Sequence, residues 1–471
     1  MAEDAQIHNS IKCDTLEQEE VQEDVGAGLV PNHQLIKSGE EIKLPLLSKN
    51  ESPPVASPVN DGLSNQRLSS LDVYRGLTVA AMILVDYGGG LWWGINHAPW
   101  NGVTFADFVV PAFVFIVGVS VALAYKTVIN RLDAVYKLVI RVLKLFVLGL
   151  LLQGGYLHAV NDLSYGVDIQ KMRIMGVLQR ITIAYGIVAC FELFAKRRIL
   201  EADKTFCGII RAYCWHWVGG AFLACLYVGL LYGLYVPTWQ FEAPEGTGSM
   251  VANALTENIS LLQVDCNVRG SLSPGCNAAS LIDRSIMGIS HLYKRPSYRR
   301  TEACSVDSPY SGPLPVNAPA WCMAPFDPEG LLSSLPAVIT CFIGAHYGHI
   351  LLHIKGHRRR IWQWSTTGAV LVVSGLGLDF AGIPLNKQLY TLSYTLLTAG
   401  ACGLAFMVNY VIVDVYGWKL STIAFKWIGA HALMIYALVS CSVIPLAIQG
   451  LYWKSPENNL IATILGTLGL S

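Results

Sequence analysis

Two side chains near the front of the sequence have the types and spacing for proton chemistry at a bilayer face. Asp86 closes a very apolar segment, and His97 follows in the short polar stretch INHAPWNG, after Gly88, Gly89 and Gly90. An unpartnered carboxylate in an apolar span is costly, so Asp86 needs a partner, and His97 is the nearest titratable group beyond the glycine turn. An imidazole held by a carboxylate is the usual construction of a general base that works near neutral pH. A plainer explanation stands beside this one. Trp93 and Trp100 flank His97 as an aromatic belt would, and His97 then only hydrogen-bonds within a loop.

Other charged residues extend the possibilities. Asp107, in VTFADFVVP, is either a helix-start carboxylate favoured by the macrodipole or a second acid of the site. Asp72 and Arg75, three apart in LDVYRG, share a helix face, either anchoring the helix at the headgroups or offering Arg75 to an anionic ligand. Arg173 and Arg180, seven apart in MRIMGVLQRI, share a face of a later apolar segment, where Arg180 needs an acid or a ligand phosphate within reach.

The elements that position these residues are membrane spans. Hydrophobic residues make up 53% of the 471 and charged residues only 14%, well below the ~25% of soluble domains; mean hydropathy is +0.44. The formal net charge is zero, which argues against a nucleic-acid partner. Runs of ~20 apolar residues predict spans near 72–93, 104–125, 138–157, 174–195, 214–236, 330–352, 362–381, 389–413 and 423–449. The final stretch NLIATILGTLGLS is too short to cross, so it is re-entrant or part of a tenth span. The expected fold is therefore all-α and polytopic, with about nine or ten transmembrane helices and one large luminal loop.

Lys and Arg concentrate in alternate loops, at 126–144, 196–211, 355–360 and 419–426, which places the N-terminus in the cytosol. The division along the chain follows: a disordered cytosolic tail over 1–66, helices and the His97 loop over 67–236, a luminal loop over 237–329, and C-terminal helices over 330–471. Cys266, Cys276, Cys304 and Cys322 all fall in that loop, an even set that suggests two disulfides on an oxidising side. The sequon at Asn258 shares that side and is expected to be glycosylated. The loop's Arg269, Arg284, Lys294, Arg295, Arg299 and Arg300 either meet a sulfated polymer or form a solvated face.

Phosphate-binding GxxxxGK[ST], HExxH, GxSxG and paired CxxC patterns are all missing, so the sequence offers no metal-ligating spacing and leaves histidine-driven transfer or transport. The runs RLSSLDVYRGL, YGGG and NHAPWNGVTFADFVVPAFVFIVG resemble the heparan-alpha-glucosaminide N-acetyltransferase family of transmembrane acyltransferases. So do GVLQRI at 176–181, CNAASLIDRSIMGISHLY at 276–293 and FDPEG at 326–330, in the same order from about residue 67 onward. The resemblance implies transfer of acetyl from cytosolic acetyl-CoA to a luminal amino sugar or glycan, with His97 as the active-site histidine. Acetyl-CoA is then a co-substrate, with no permanently bound cofactor. Arg75, Trp100, Asn101, Asp107 and Arg180 become the expected contacts to substrate or CoA, the arginines meeting phosphates from the cytosolic side.

Departures from the animal pattern accompany the resemblance. Asp86 stands where the animal enzyme has an asparagine regarded as a catalytic partner, and a carboxylate carries charge that an amide does not. The animal protein's luminal domain and first span have no counterpart in this sequence, and the last span ends early. Cys304 and Cys322 look like a local addition, a second disulfide beside Cys266 and Cys276. His97 either accepts the acetyl group or deprotonates the amine, and both routes remain open. So do the acceptor, a homodimeric assembly, and the choice among lysosome or vacuole, Golgi and plasma membrane. Transport of a small acid or sugar without acyl chemistry is the competing class.

Overall fold

A computed structural model of the chain describes residues 68–90, 92–126, 128, 130–152, 172–195, 206–242, 261–418 and 420–441. The expected tail over 1–66, the sequon at Asn258 and the apolar stretch at the end of the sequence lie outside the described residues.

In hydrocarbon a segment must satisfy its backbone internally, and these apolar runs form helices. Helix α1 spans Ser69–Gly88, and a single 3-10 turn at Phe105–Phe108 leads into α2, Val109–Ala124. Then come α3 (Arg131–Leu152), α4 (Val177–Phe194), α5 (Phe206–Ala212) and α6 (Cys214–Gly233). Short strands follow: β1 (Tyr235–Val236), β2 (Trp239–Glu242), β3 (Leu261–Val264) and β4 (Val268–Arg269). β2 pairs antiparallel with β3, Trp239 opposite Val264, and β1 with β4. After α7 (Ala278–Ile286) the chain returns to long helices: α8 (Leu331–His353), α9 (His357–Phe380) and α10 (Leu392–Tyr410), which runs on as a π turn to Val415. Two short helices, α11 (Ile423–Ala430) and α12 (Ala432–Ser440), close the described part.

The chain is an all-α polytopic membrane protein. Among the described residues, five helical segments are long and apolar enough to cross a bilayer: Phe105–Ala124, Val177–Phe194, Cys214–Gly233, Leu331–His353 and Leu392–Val415. The pair α11 and α12, bent by 74°, makes a sixth if taken as one broken span, where the sequence suggested one continuous helix over 423–449. Three other expected spans, α1, α3 and α9, have 20, 22 and 24 residues but carry charge within their length. Asp72, Arg75 and Asp86 lie in α1, Lys137, Arg141 and Lys144 in α3, and Arg358, Arg359 and Arg360 in α9.

Helix α8 is the central post, buried along most of its length. Its crossing with α2 is backbone on backbone: a Cβ on Gly118 would lie 2.0 Å from the Cys341 carbonyl oxygen, and one on Gly344 would lie 2.1 Å from that of Phe115. Small residues at such a crossing supply the contact that membrane helices need, since lipid offers them no hydrophobic drive to associate. Around this post the outer helices turn Leu132, Val139, Phe222, Val370 and Phe380 outward.

At the far end of the bundle from the basic turns, three connections meet: the one after α1, the one before α8 and the one between α9 and α10. Trp100 locks them together. Its indole N–H donates to the Leu272 carbonyl at 3.0 Å, and its ring meets Tyr298 and Phe326 edge-on at 5.8 and 5.6 Å. This corrects the aromatic-belt expectation for Trp100, which is 7% exposed, whereas Trp93 is 57% exposed. Disulfides Cys266–Cys276 and Cys304–Cys322 staple the same end.

Candidate functional site

The site is built on the turn that starts α2. Thr104 is the N-cap of the 3-10 turn, and Asp107, at its third position, accepts the Thr104 backbone N–H through Oδ2 at 3.0 Å, as in a capping box. The same oxygen accepts the Ala98 N–H at 3.1 Å and the Thr104 hydroxyl at 3.0 Å. Oδ1 is left to face His97 Nδ1 at 2.9 Å. Asp107 is therefore both things the sequence allowed, a helix-start carboxylate and a member of the site. An ionised carboxylate only accepts, so Asp107 favours the tautomer with a proton on Nδ1, in which the Nε2 lone pair is the imidazole's basic atom.

A third charged group reaches the imidazole from the connection between α9 and α10. Lys387 Nζ lies 2.8 Å from His97 Nδ1, 3.3 Å from Nε2 and 3.5 Å from Asp107 Oδ1. The connection is fixed on its neighbour by the Gly102 N–H donating to the Leu385 carbonyl at 2.8 Å and by Asn386 Nδ2 donating to Asn101 Oδ1 at 3.2 Å. From the cysteine-bearing loop, Arg300 donates to the His97 carbonyl at 2.7 Å. Burial and then the Lys387 ammonium hold the His97 imidazole below its ordinary value, against the opposing pull of Asp107. Burial also lowers Lys387, which Asp107 and Glu329 partly restore. Neutral imidazole at neutral pH is what a general base or an acyl acceptor requires.

His97 opens on a cleft of about 280 Å³, lined among others by Trp93, Asn96, Asn101, Thr104 and Arg300. Its side chain is about one-third exposed there, while Asp107 behind it is fully buried. The described residues gather no trio of metal-ligating side chains at this cleft.

Residues 67–223, which contain His97 and Asp107, match the family model described as heparan-alpha-glucosaminide N-acetyltransferase, catalytic. Over 389 residues the chain is 29% identical to the human heparan-alpha-glucosaminide N-acetyltransferase, covering 79% of this chain and 52% of the human protein. The mouse protein of the same name is 28% identical over 392 residues, covering 79% of this chain and 53% of that one. Residues 67–223 are thus similar to the catalytic region of this family. It spans about half the length of the curated relatives it matches.

Several expected site residues take other places. Asp86 is exposed, and among the described residues it makes no hydrogen bond or ion pair with His97; Asp107 holds the position expected of it. Asn101 lines the cleft and pairs with Asn386, whereas Trp100 lies behind it as a packing strut. Arg75 sits one turn from Asp72, 3.6 Å away, and donates to the Ser120 hydroxyl at 3.2 Å.

Arg180 corrects the expectation of a cytosolic phosphate contact. It lies in the first turn of α4, at the same end as His97, is 1% exposed, and donates to the Pro328 carbonyl and the Ser333 hydroxyl. Its guanidinium lies 5.1 Å from the Tyr390 ring centroid, so it belongs to the floor beneath the Lys387 connection. Arg173, next to that floor, is clamped by Asp327 at 2.7 Å and by Glu329 at 2.5 Å. Of the loop's basic residues, Arg300 lines the cleft, while Arg299 donates to the Met323 carbonyl and Arg284 covers the Trp239 ring.

Lys387 and Arg300 as partners of His97 were not singled out by sequence reasoning. The available signal for Lys387 was its rarity: it is one of few basic residues on the side that the charge distribution leaves nearly free of them.

Proposed function

We propose that the protein is a membrane-embedded acetyltransferase that moves the acetyl group of cytosolic acetyl-CoA to the amine of a luminal amino sugar. The observation that carries this reading is the Asp107–His97 pair, with His97 lining a cleft inside the region that matches the family's catalytic model. Both relatives compared are named heparan-alpha-glucosaminide N-acetyltransferases. Heparan fragments are thus the first acceptor to try, and Arg300 at the cleft suits an acceptor that bears anionic groups.

The chemistry follows from which atom holds the lone pair. An alkyl amine must lose a proton to attack a thioester, and Nε2 takes that proton while Asp107 stabilises the imidazolium that forms. The new C–N bond replaces the C–S bond, and CoA leaves as its thiolate. In the stepwise route Nε2 itself attacks the thioester carbonyl, CoA departs first, and the amine then displaces the imidazole. Lys387, beside Nδ1 and Asp107, offsets the carboxylate's charge and keeps the resting imidazole neutral. Arg75, at the other end of α1 from the cleft, is retained as a candidate contact to the CoA phosphates.

The membrane expected is lysosomal or vacuolar, with His97, the disulfides and the acceptor on the luminal side. Sealed proteoliposomes given acetyl-labelled acetyl-CoA outside and glucosamine inside test the reading. Labelled N-acetylglucosamine inside with free CoA outside supports it. Entry of an unmodified solute without CoA release marks a carrier instead.

A further inference from the structure

On the opposite half of the bundle from His97, three buried side chains from three helices converge. Glu192 of α4 is 4% exposed, His216 of α6 is 5% exposed and His349 of α8 is 1% exposed. His349 Nε2 contacts Glu192 Oε1, and His216 Nε2 approaches the same oxygen at 3.2 Å. The three ligand atoms all lie within 4.8 Å of one another. Along α8 the cluster is about 27 Å from the helix start next to the His97 floor, at about 1.5 Å per residue.

We propose that Glu192, His216 and His349 bind a divalent transition-metal ion of the zinc class. Two imidazole nitrogens and one carboxylate oxygen form a three-ligand set that zinc accepts, with a fourth position left for water. Nitrogen donors select against Ca²⁺ and Mg²⁺. At metal–ligand bonds of about 2.0–2.2 Å, adjacent ligands of a tetrahedral ion stand about 3.4 Å apart, close to the separation between His216 and Glu192.

A second, independent observation concerns His216. Neither of its ring nitrogens has a directed hydrogen bond, although the residue is buried. Its Nε2 points at a carboxylate oxygen already met by His349, and a dative bond to a shared ion satisfies it where a hydrogen bond does not. The surroundings are those of a closed site. Tyr213 stacks on the His349 ring with centroids 3.5 Å apart, and Phe191 and Phe342 flank His216 at 5.8 and 5.7 Å. An ion shared by Glu192, His216 and His349 would tie α4, α6 and α8 together. The role is structural.

Metal analysis of the full chain, purified in detergent and dialysed against metal-free buffer, tests the site. About one zinc ion per chain is expected. Glu192→Gln with His216→Ala should lower the retained metal by at least about tenfold, while His346→Ala, one turn away on α8, keeps it. If the double variant does not fold, the wild-type protein decides by itself. Stripping with a chelator should lower Tm, Zn²⁺ should restore it, and Co²⁺ in place of zinc should give the visible absorption of a tetrahedral site. Wild-type protein with less than about a tenth of an ion per chain and no Co²⁺ spectrum after reloading overturns the proposal. So does a double variant that folds and keeps its metal.

Discussion

Asp107 Oδ1 lies 2.9 Å from His97 Nδ1, while Oδ2 of the same carboxylate is held by the backbone N–H groups of Ala98 and Thr104. A side chain that starts a helix thereby also touches the imidazole in front of it. Asp107→Asn keeps the shape and the helix start but removes the fixed acceptor charge. A fall in kcat on the order of 10²–10⁴, with KM little changed, is expected in an acetyl-transfer assay. Near-normal kcat would mean that His97 works without this partner.

Asp86 gives the contrasting case. It is exposed, makes no bond to His97 and reaches the site only through its charge interaction with Lys387, so Asp86→Asn should leave kcat/KM within about tenfold of wild type. A collapse comparable to that of the Asp107 variant would put the carboxylate at 86 back into the chemistry.

Lys387 makes a prediction about pH. Its ammonium is among the causes that hold His97 low, so Lys387→Met should raise the imidazole pKa. The acid limb of the kcat/KM profile reports the free enzyme's base and should therefore move to higher pH in this variant. An unmoved limb would show that Lys387 does not set the protonation of His97.

Asp283 links stability to acidity. Burial pushes its carboxyl from 3.8 to about 7, although Oδ1 accepts the Leu331 N–H at the start of α8 at 2.8 Å. The folded state then holds a proton that the unfolded chain has released. This contribution, on the order of 4 kcal/mol, is full below the unfolded value and is lost as pH rises towards 7. Asp283→Asn keeps the acceptor for Leu331 and should flatten the fall of Tm between about pH 4 and 7. A variant whose Tm keeps the wild-type slope would remove Asp283 from the account.

How much of this was legible in the sequence depends on separation along the chain. His97 stood out because a histidine between two apolar runs is conspicuous, and four cysteines in a single polar loop announced the staples. The partner of His97 was sought in Asp86, the carboxylate just before the glycine turn, whereas the fold supplies it from ten residues beyond His97. Nearness in sequence misled because the start of the next helix folds back onto His97. Lys387, 290 residues from His97, had no local signature, and the Glu192–His349 contact joins residues 157 apart. The sequence asks for an acid or a phosphate beside Arg180, and the fold gives it the Pro328 carbonyl and the Ser333 hydroxyl. Its end of the bundle was misjudged, since the start of α4 lies beside the FDPEG connection.

The central claim is that the His97 imidazole carries the acetyl transfer. Acetyl-labelled acetyl-CoA and glucosamine, given to wild-type and His97→Ala protein reconstituted at equal membrane content, test it most directly. The account predicts labelled N-acetylglucosamine from the wild type and a loss on the order of 10³-fold or more in the variant, which still inserts and folds. Acetylation by the variant within about tenfold of wild type would contradict it.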